Sequence, residues 1–393
     1  QRTMRLQHDK QMHGGNAMIS RRGLLLSGAV LLLDKAARAS TNYVVGAIRW
    51  DAWGAAGQPG GATGVVNAAV RSTLGPSQWQ SRMPWFGVPT SPYTVSIAGN
   101  QQATMDAEIV YAKSAGLNYW AYCWYGPTDP MMQSWALHQS SSVANNMNWC
   151  LLLQFSRLGG ASGMSAVQSA FVGYMQQTNY QKVLSGRPLI YLLMDDLTHL
   201  ASDWGGSYAN VQTSLNALRN ACTSAGLANP YIVIMYGTSM TAYSIMGSVS
   251  ADAISNYTAP SAPGQPAAYS AQITSDAAFW ATMAATGASI VPIVQTGWDT
   301  RPRKQNPPYF AKQPPGAGML NYVAAGTPTQ VASDFQAAIT YVGSNPAACP
   351  SKAILAYSWD ECDEGGSALI PTYTSGGPNH AILDAVGLVL NAN

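Results

Sequence analysis

From residue 43 onward, short apolar runs and helix-like stretches alternate eight times, and this rhythm constrains the fold more than any other feature. The runs fall at 43–50, 118–124, 149–155, 188–194, 231–236, 253–256, 289–295 and 353–359. Most are rich in Val, Ile, Leu or Tyr without strict polar alternation, as expected of parallel strands buried on both faces. The helical stretches fall at 105–115, 131–144, 165–177, 208–225, 240–246, 270–286, 328–343 and 379–390. Gly116, Gly226 and Gly287 follow three of them, and a glycine there suits a helix C-cap. Eight strand–helix units predict an α/β chain folded as a (β/α)8 TIM barrel; a doubly wound open sheet is the alternative. No GxGxxG or GxxxxGK[ST] follows any strand, so the dinucleotide and P-loop versions of the open sheet lose support. The segments 53–102, 258–268 and 300–326 read as long βα loops, on the face where barrels carry active sites. No internal repeat or interdomain linker divides residues 40–393, which are expected to form one domain.

The first 39 residues read differently. Arg21-Arg22, an apolar run from Leu24 to Leu33, and Ala37-Arg38-Ala39 before Ser40 have the order of a secretory signal of twin-arginine character. Met18 fits as its start, and the run is too short to span a bilayer. A short buried helix is the other reading of it. The expectation is a mature chain beginning near Ser40, secreted or periplasmic, without stable membrane insertion. Residues 1–39 carry seven Lys/Arg and two acids, which leaves a mature net charge of −3. A chain of that charge, with 10 % charged residues, has no electrostatic footprint for nucleic acid. The five Cys are scattered, without CxxC or Cys/His clusters, so no structural zinc is expected. Their odd number leaves at least one unpaired within the chain.

Acids are scarce, which makes their positions informative. Asp51 follows the first strand, Asp195 and Asp196 the fourth, and Asp299 the seventh. Asp360, Glu361, Asp363 and Glu364 occupy four of five positions after the eighth. In a barrel these strand ends converge on one mouth. Strand-end acids can also cap the next helix, a reading that suits Asp129 and Asp196. It suits the last cluster poorly, because four crowded carboxyls repel and at least one must hold its proton. A protonated carboxyl beside an ionised one is the equipment of glycoside hydrolysis. The cluster lacks the spacing of a calcium loop, and no GxSxG is present for serine hydrolase chemistry. His138 and His380 read as surface residues, while His199 lies close enough to Asp195 to enter the mouth.

Three segments carry a likeness to a known family. Tyr357-Ser358-Trp359-Asp360-Glu361-Cys362-Asp363-Glu364-Gly365-Gly366 with Pro371-Thr372 resembles the late A-W-N-E-x-x-E-G … P-T signature of the glycoside hydrolase family 99-like and WbsX-like domains. The segment from Asp106-Ala107-Glu108-Ile109 through Tyr122 resembles their first helix and second strand. Gly297-Trp298-Asp299-Thr300-Arg301-Pro302-Arg303 resembles their segment after strand seven. The resemblance implies a (β/α)8 barrel acting on glycans. In the related families 71 and 99, two carboxylates three residues apart near the end of the chain do the chemistry; Glu361 and Glu364 match them. The usual Asn before the first Glu is Asp360 here.

The expected function is that of an exported glycoside hydrolase acting on a polysaccharide or oligosaccharide, with no cofactor and no metal. Glu361 and Glu364 are the primary acid/base candidates, with Asp195 next. Asp51, Asp196, Asp299, Arg301 and Asp360 are candidate substrate-binding residues. Trp50, Trp53, Trp124, Trp298 and Trp359 are candidate stacking platforms, with core packing as the plainer reading of each. Arg301 and Arg303 could bind sugar hydroxyls or an acidic sugar, or form salt bridges to Asp299. A non-catalytic glycan-binding or exopolysaccharide-assembly protein on the same barrel is the alternative.

Overall fold

A computed structural model describes residues 43–53, 62–311, 314–365 and 368–393. The signal-like segment lies outside the described residues. Eight parallel strands follow the sequence rhythm: β1 Val44–Arg49, β2 Tyr119–Trp124, β3 Asn148–Gln154, β4 Arg187–Leu193, β5 Tyr231–Met235, β6 Ala253–Ser255, β7 Ile293–Gln295 and β8 Ala353–Tyr357. After them in turn come α1 Gln102–Ser114, α2 Gln133–Ser140, α3 Gly160–Met175, α4 Tyr208–Ser224, α5 Ser239–Val249, α6 Tyr269–Ala284, α7 Pro328–Ser344 and α8 Ala381–Leu390.

The hydrogen-bonded strand order is β7-β8-β1-β2-β3-β4-β5-β6. One parallel bridge between Ile254 and Ile290 brings the two ends together, with Ile254 N–H donating to Ser289 O at 2.9 Å and Val291 N–H to Ile254 O at 3.0 Å. The sheet is thus a near-closed (β/α)8 barrel rather than an open one. Pro292 has no N–H to give, and the regular part of β7 starts only after it. Inside, Tyr119 and Tyr191 share a hydrogen bond of 2.7 Å across β2 and β4. Gly46, in register with Tyr119, makes room for that ring: a Cβ there would stand 2.3 Å from it.

The segment 53–102 is more than the long loop its composition suggests. It holds a helix, Ala62–Thr73, and an antiparallel hairpin, Gly87–Ser91 with Thr94–Ile97. The helix buries Asn67, Val70, Thr73 and the following Leu74 at helical spacing. Small and polar residues in that face hid the pattern. The segment 300–326 likewise opens with a short helix, Arg301–Gln305.

A candidate active site at the carboxyl end of the barrel

β8 ends at Tyr357, and the chain then turns so that Asp360, Glu361, Asp363 and Glu364 point into two separate environments. Glu361, Asp363 and Glu364 gather around Arg303 from the short helix after β7. Arg303 donates from Nε to Asp363 Oδ2 at 2.7 Å and from Nη2 to Oδ1 at 3.1 Å. Its Nη1 donates to Glu364 Oε1, and its Nη2 lies 3.7 Å from Glu361 Oε2. Asp363 also accepts from Thr73 Oγ1 at 3.1 Å, which ties the helix of the 53–102 segment to the site.

Two tyrosine hydroxyls complete the carboxyl pair. Tyr257, just beyond β6, donates to Glu361 Oε1 at 2.5 Å. Tyr357, the last residue of β8, donates to Glu364 Oε2 at 2.6 Å. The two glutamates also hydrogen-bond to each other. Burial and then the neighbouring Glu364 charge push the Glu361 carboxyl well above the usual carboxylate range, against the pull of Arg303. The Glu361 site thus favours the protonated form, while Glu364 is ion-paired to Arg303. A cavity of about 410 Å³ opens on Glu364 and Arg303, with Trp298, Phe310, Gln265 and Asn321 around it. Sequence reasoning missed Tyr257, Tyr357 and Thr73 as partners; a tyrosine at a strand end was the one available signal for the first two.

Asp360 faces the other way. Its Oδ1 accepts the N–H of Trp50 at 3.0 Å and its carbonyl accepts Trp53 Nε1 at 2.8 Å, while Oδ2 has no partner. It is fully buried and lies outside the lining of that cavity. Beside it, Arg49 binds Asp51 Oδ1 at 2.7 Å and Glu108 Oε2 at 2.8 Å. Asp51 is thus buried in an ion pair rather than presented to the mouth. Burial, then Asp51, raise the Asp360 carboxyl well above its ordinary range.

Asp299 is similarly taken up. Arg301 holds it by bonds of 2.7 and 2.6 Å, and Arg82 holds its carbonyl at 2.9 Å and its carboxylate. Burial opposes ionisation there, yet the two guanidinium groups keep the carboxyl below the usual range. Of the two arginines considered, Arg301 makes the salt bridge to Asp299 and Arg303 enters the glutamate cluster.

The remaining candidates divide by exposure. Asp195 and Asp196 are exposed beyond β4. Asp195 accepts from Ser156 N–H at 3.0 Å and Oγ at 2.5 Å. In the ring order β4 stands across the barrel from β8, so Asp195 belongs to the opposite wall. Asp196 accepts from Thr198 N–H at 2.9 Å and Thr198 Oγ1 at 2.6 Å, one residue ahead of the N-cap, Leu197, of the helix Thr198–Trp204. Trp53, Trp124 and Trp359 are buried; Trp359 donates Nε1 to Glu108 at 2.8 Å and offers no free face. Trp50 and Trp298 are half-buried; Arg303 lies 5.2 Å from the Trp50 ring centroid, and Trp298 lines the cavity. Trp50 Nε1 donates to Tyr125 OH at 2.5 Å, and Arg157 lies over the Tyr125 ring at 4.1 Å.

His138 corrects its surface reading. It is fully buried, bonded to Tyr122 OH at 3.2 Å and to Met147 O at 3.1 Å, and burial lowers its pKa to about 4. His199 pairs with Asp203 at 2.7 Å instead of entering the mouth. The five cysteines are all free and buried. Among the described residues no group of His, Cys, Asp and Glu is arranged to hold a metal, and no helix is long and apolar enough to cross a membrane.

This strand order and this arrangement of helices have a counterpart among solved structures. The fold is similar to that of a GH99 endo-α-mannosidase. That structure, from Bacteroides thetaiotaomicron, is 13 % identical with a TM-score of 0.53, over 88 % of this chain and 96 % of the mannosidase. The GH99 enzyme in complex with BIS-TRIS-Propane gives a TM-score of 0.54 over the same shares. At this identity the GH99 likeness speaks to the fold. No protein-family model matches the sequence, and no curated protein sequence matches it.

Proposed function

We propose that the chain is an exported glycoside hydrolase whose acid/base pair is Glu361 and Glu364. The observation that carries this reading is a buried glutamate, pushed above the usual carboxylate range, beside a second, arginine-paired glutamate at the carboxyl end of a barrel, next to a cavity with an aromatic face. Glu361 is the proton donor to the leaving glycosidic oxygen. Glu364 is the base, with Arg303 and Tyr357 holding its charge in place. Trp298 supplies a ring face for the sugar, and Asp195 meets the substrate from the opposite wall. The separation of the two carboxyls in a substrate complex distinguishes the two stereochemical courses, roughly 5–5.5 Å suiting a retaining pair and roughly 6.5–9.5 Å an inverting one. Glu361 protonates the leaving oxygen as its bond to the anomeric carbon breaks, and a water deprotonated by Glu364 forms the new bond there. Export rests on the Arg21-Arg22 segment. The fold likeness to an endo-α-mannosidase makes α-mannans the first substrates to try.

The test is a polysaccharide panel, α-mannan included, with the mature protein and Glu364→Gln. The expected outcome is release of reducing ends by the parent and loss of turnover by on the order of 10²-fold or more in the variant, with glycan binding kept. Binding without turnover in the parent would assign the barrel to glycan recognition instead.

A further inference from the structure

Behind β7, α6 and α7 each bury a carboxyl: Asp276 and Asp334 are both fully inaccessible. They hydrogen-bond to each other. Asp276 Oδ2 accepts the N–H of Gln295 at 2.7 Å, and its Oδ1 accepts Gln272 Nε2 at 2.6 Å. Asp334 Oδ2 accepts from Tyr269 OH at 3.4 Å, while its Oδ1 meets no donor. The groups facing the pair are Tyr269 and Gln272 from α6 and Gln295 from β7. No cation acts on either carboxyl among the described residues. Two touching carboxylates in such a place cannot both be charged.

What the pair holds is significant. Gln295 is fully buried, and its side chain bridges two strand ends. Its Oε1 accepts the N–H of Ala259 at 2.9 Å, and its Nε2 donates to Gly297 O at 2.6 Å. Tyr269 OH secures its carbonyl at 3.0 Å. Ala259 follows Tyr257 by two residues, and Tyr257 donates to Glu361. Gly297 directly precedes Trp298, whose ring lies 5.9 Å from that of Tyr357, and Tyr357 donates to Glu364. Both hydroxyls on the glutamate pair thus trace back to one buried glutamine.

We propose that Asp276 and Asp334 share a single proton and act as positioning residues, fixing Gln295 and through it the strand ends that bear Tyr257 and Trp298. Deprotonation releases that proton to solvent and leaves two adjacent carboxylates, whose repulsion loosens Gln295. Burial raises both carboxyls, so the pair titrates as a unit, above the pH at which a free Asp does. Only the activity readout rests on the hydrolase reading.

The substrate-free test compares thermal stability and tryptophan fluorescence against pH in the full chain and in Asp334→Asn. The amide is neutral at every pH and donates to Asp276, so it fixes the singly protonated state. The native pair keeps a proton that the unfolded chain loses near pH ~4. The parent therefore loses stability as pH rises from there through the range in which the pair titrates, and Asp334→Asn lacks that part of the fall. Glycan turnover is expected to drop by about tenfold per pH unit above that range in the parent and to stay level in the variant. Asp276→Asn is read in the same way should the first variant fold poorly. Superimposable stability profiles in parent and amide variants would overturn the proposal. The expected stability difference in a parent that turns over no glycan would sustain the positioning pair and reject the hydrolase.

Discussion

Two arginines at the mouth each gather three carboxyls, yet the clusters differ in what they can do. Arg49 holds Asp51 and Glu108 and lies near Asp360; Arg303 holds Asp363 and Glu364 and lies near Glu361. In each, the acids outnumber the base and one carboxyl is raised well above the usual range, Asp360 in the first and Glu361 in the second, while Glu108 and Asp363 beside them are raised less. The Arg49 cluster is roofed by aromatic rings, with Trp120 4.4 Å from the guanidinium and Trp359 on Glu108. The Arg303 cluster meets a cavity and two tyrosine hydroxyls. Charge crowding alone therefore does not define an active site. Access and hydrogen-bond donors aimed at the raised acid are what set the Arg303 cluster apart as the candidate.

The comparison can be broken at the sealed cluster first, where the largest effect is expected. Arg49→Met strands two buried carboxylates and is expected to cost about 3–5 kcal/mol of stability by denaturant unfolding. A loss under about 1 kcal/mol would mean that the cluster is no more than a surface-type pair. A smaller effect sharpens the contrast. Asp360→Asn replaces a protonated acid with a neutral group of the same shape, and is expected to hold the fold within about 1 kcal/mol at acid pH. Because the native Asp360 carboxyl is raised, the parent loses stability as pH climbs from about 4, where unfolded Asp titrates. The amide variant should lack that component, and unfolding midpoints measured across pH check it. Identical pH profiles would mean that Asp360 is charged in the native state.

The barrel was legible in the sequence because strands buried on both faces read as apolar runs, and all eight fell where expected. The helix Ala62–Thr73 was not, because its buried face includes Asn67 and Thr73. At the site, the strand-end acids were found by position, but position does not reveal direction. Asp51, Asp299 and Asp360 follow strands as Glu361 does, yet turn into ion pairs or the core. Arg303 was weighed as a partner for Asp299, two residues from Arg301 on a five-residue helix. One helical step of that size swings it to the other cluster. The tyrosines that serve the glutamates lie 104 and seven residues away from them in sequence, and no spacing rule links such partners.

Glu361 and Glu364 are proposed to work as one acid/base unit. The most direct test is turnover by Glu361→Gln, Glu364→Gln and the double variant on a glycan that the parent cleaves. Residues that act as a unit are non-additive. Each single variant is expected to lose on the order of 10²-fold or more, and the double variant to be hardly worse than either. Near-parental turnover in both single variants, or losses that simply multiply in the double, would contradict it.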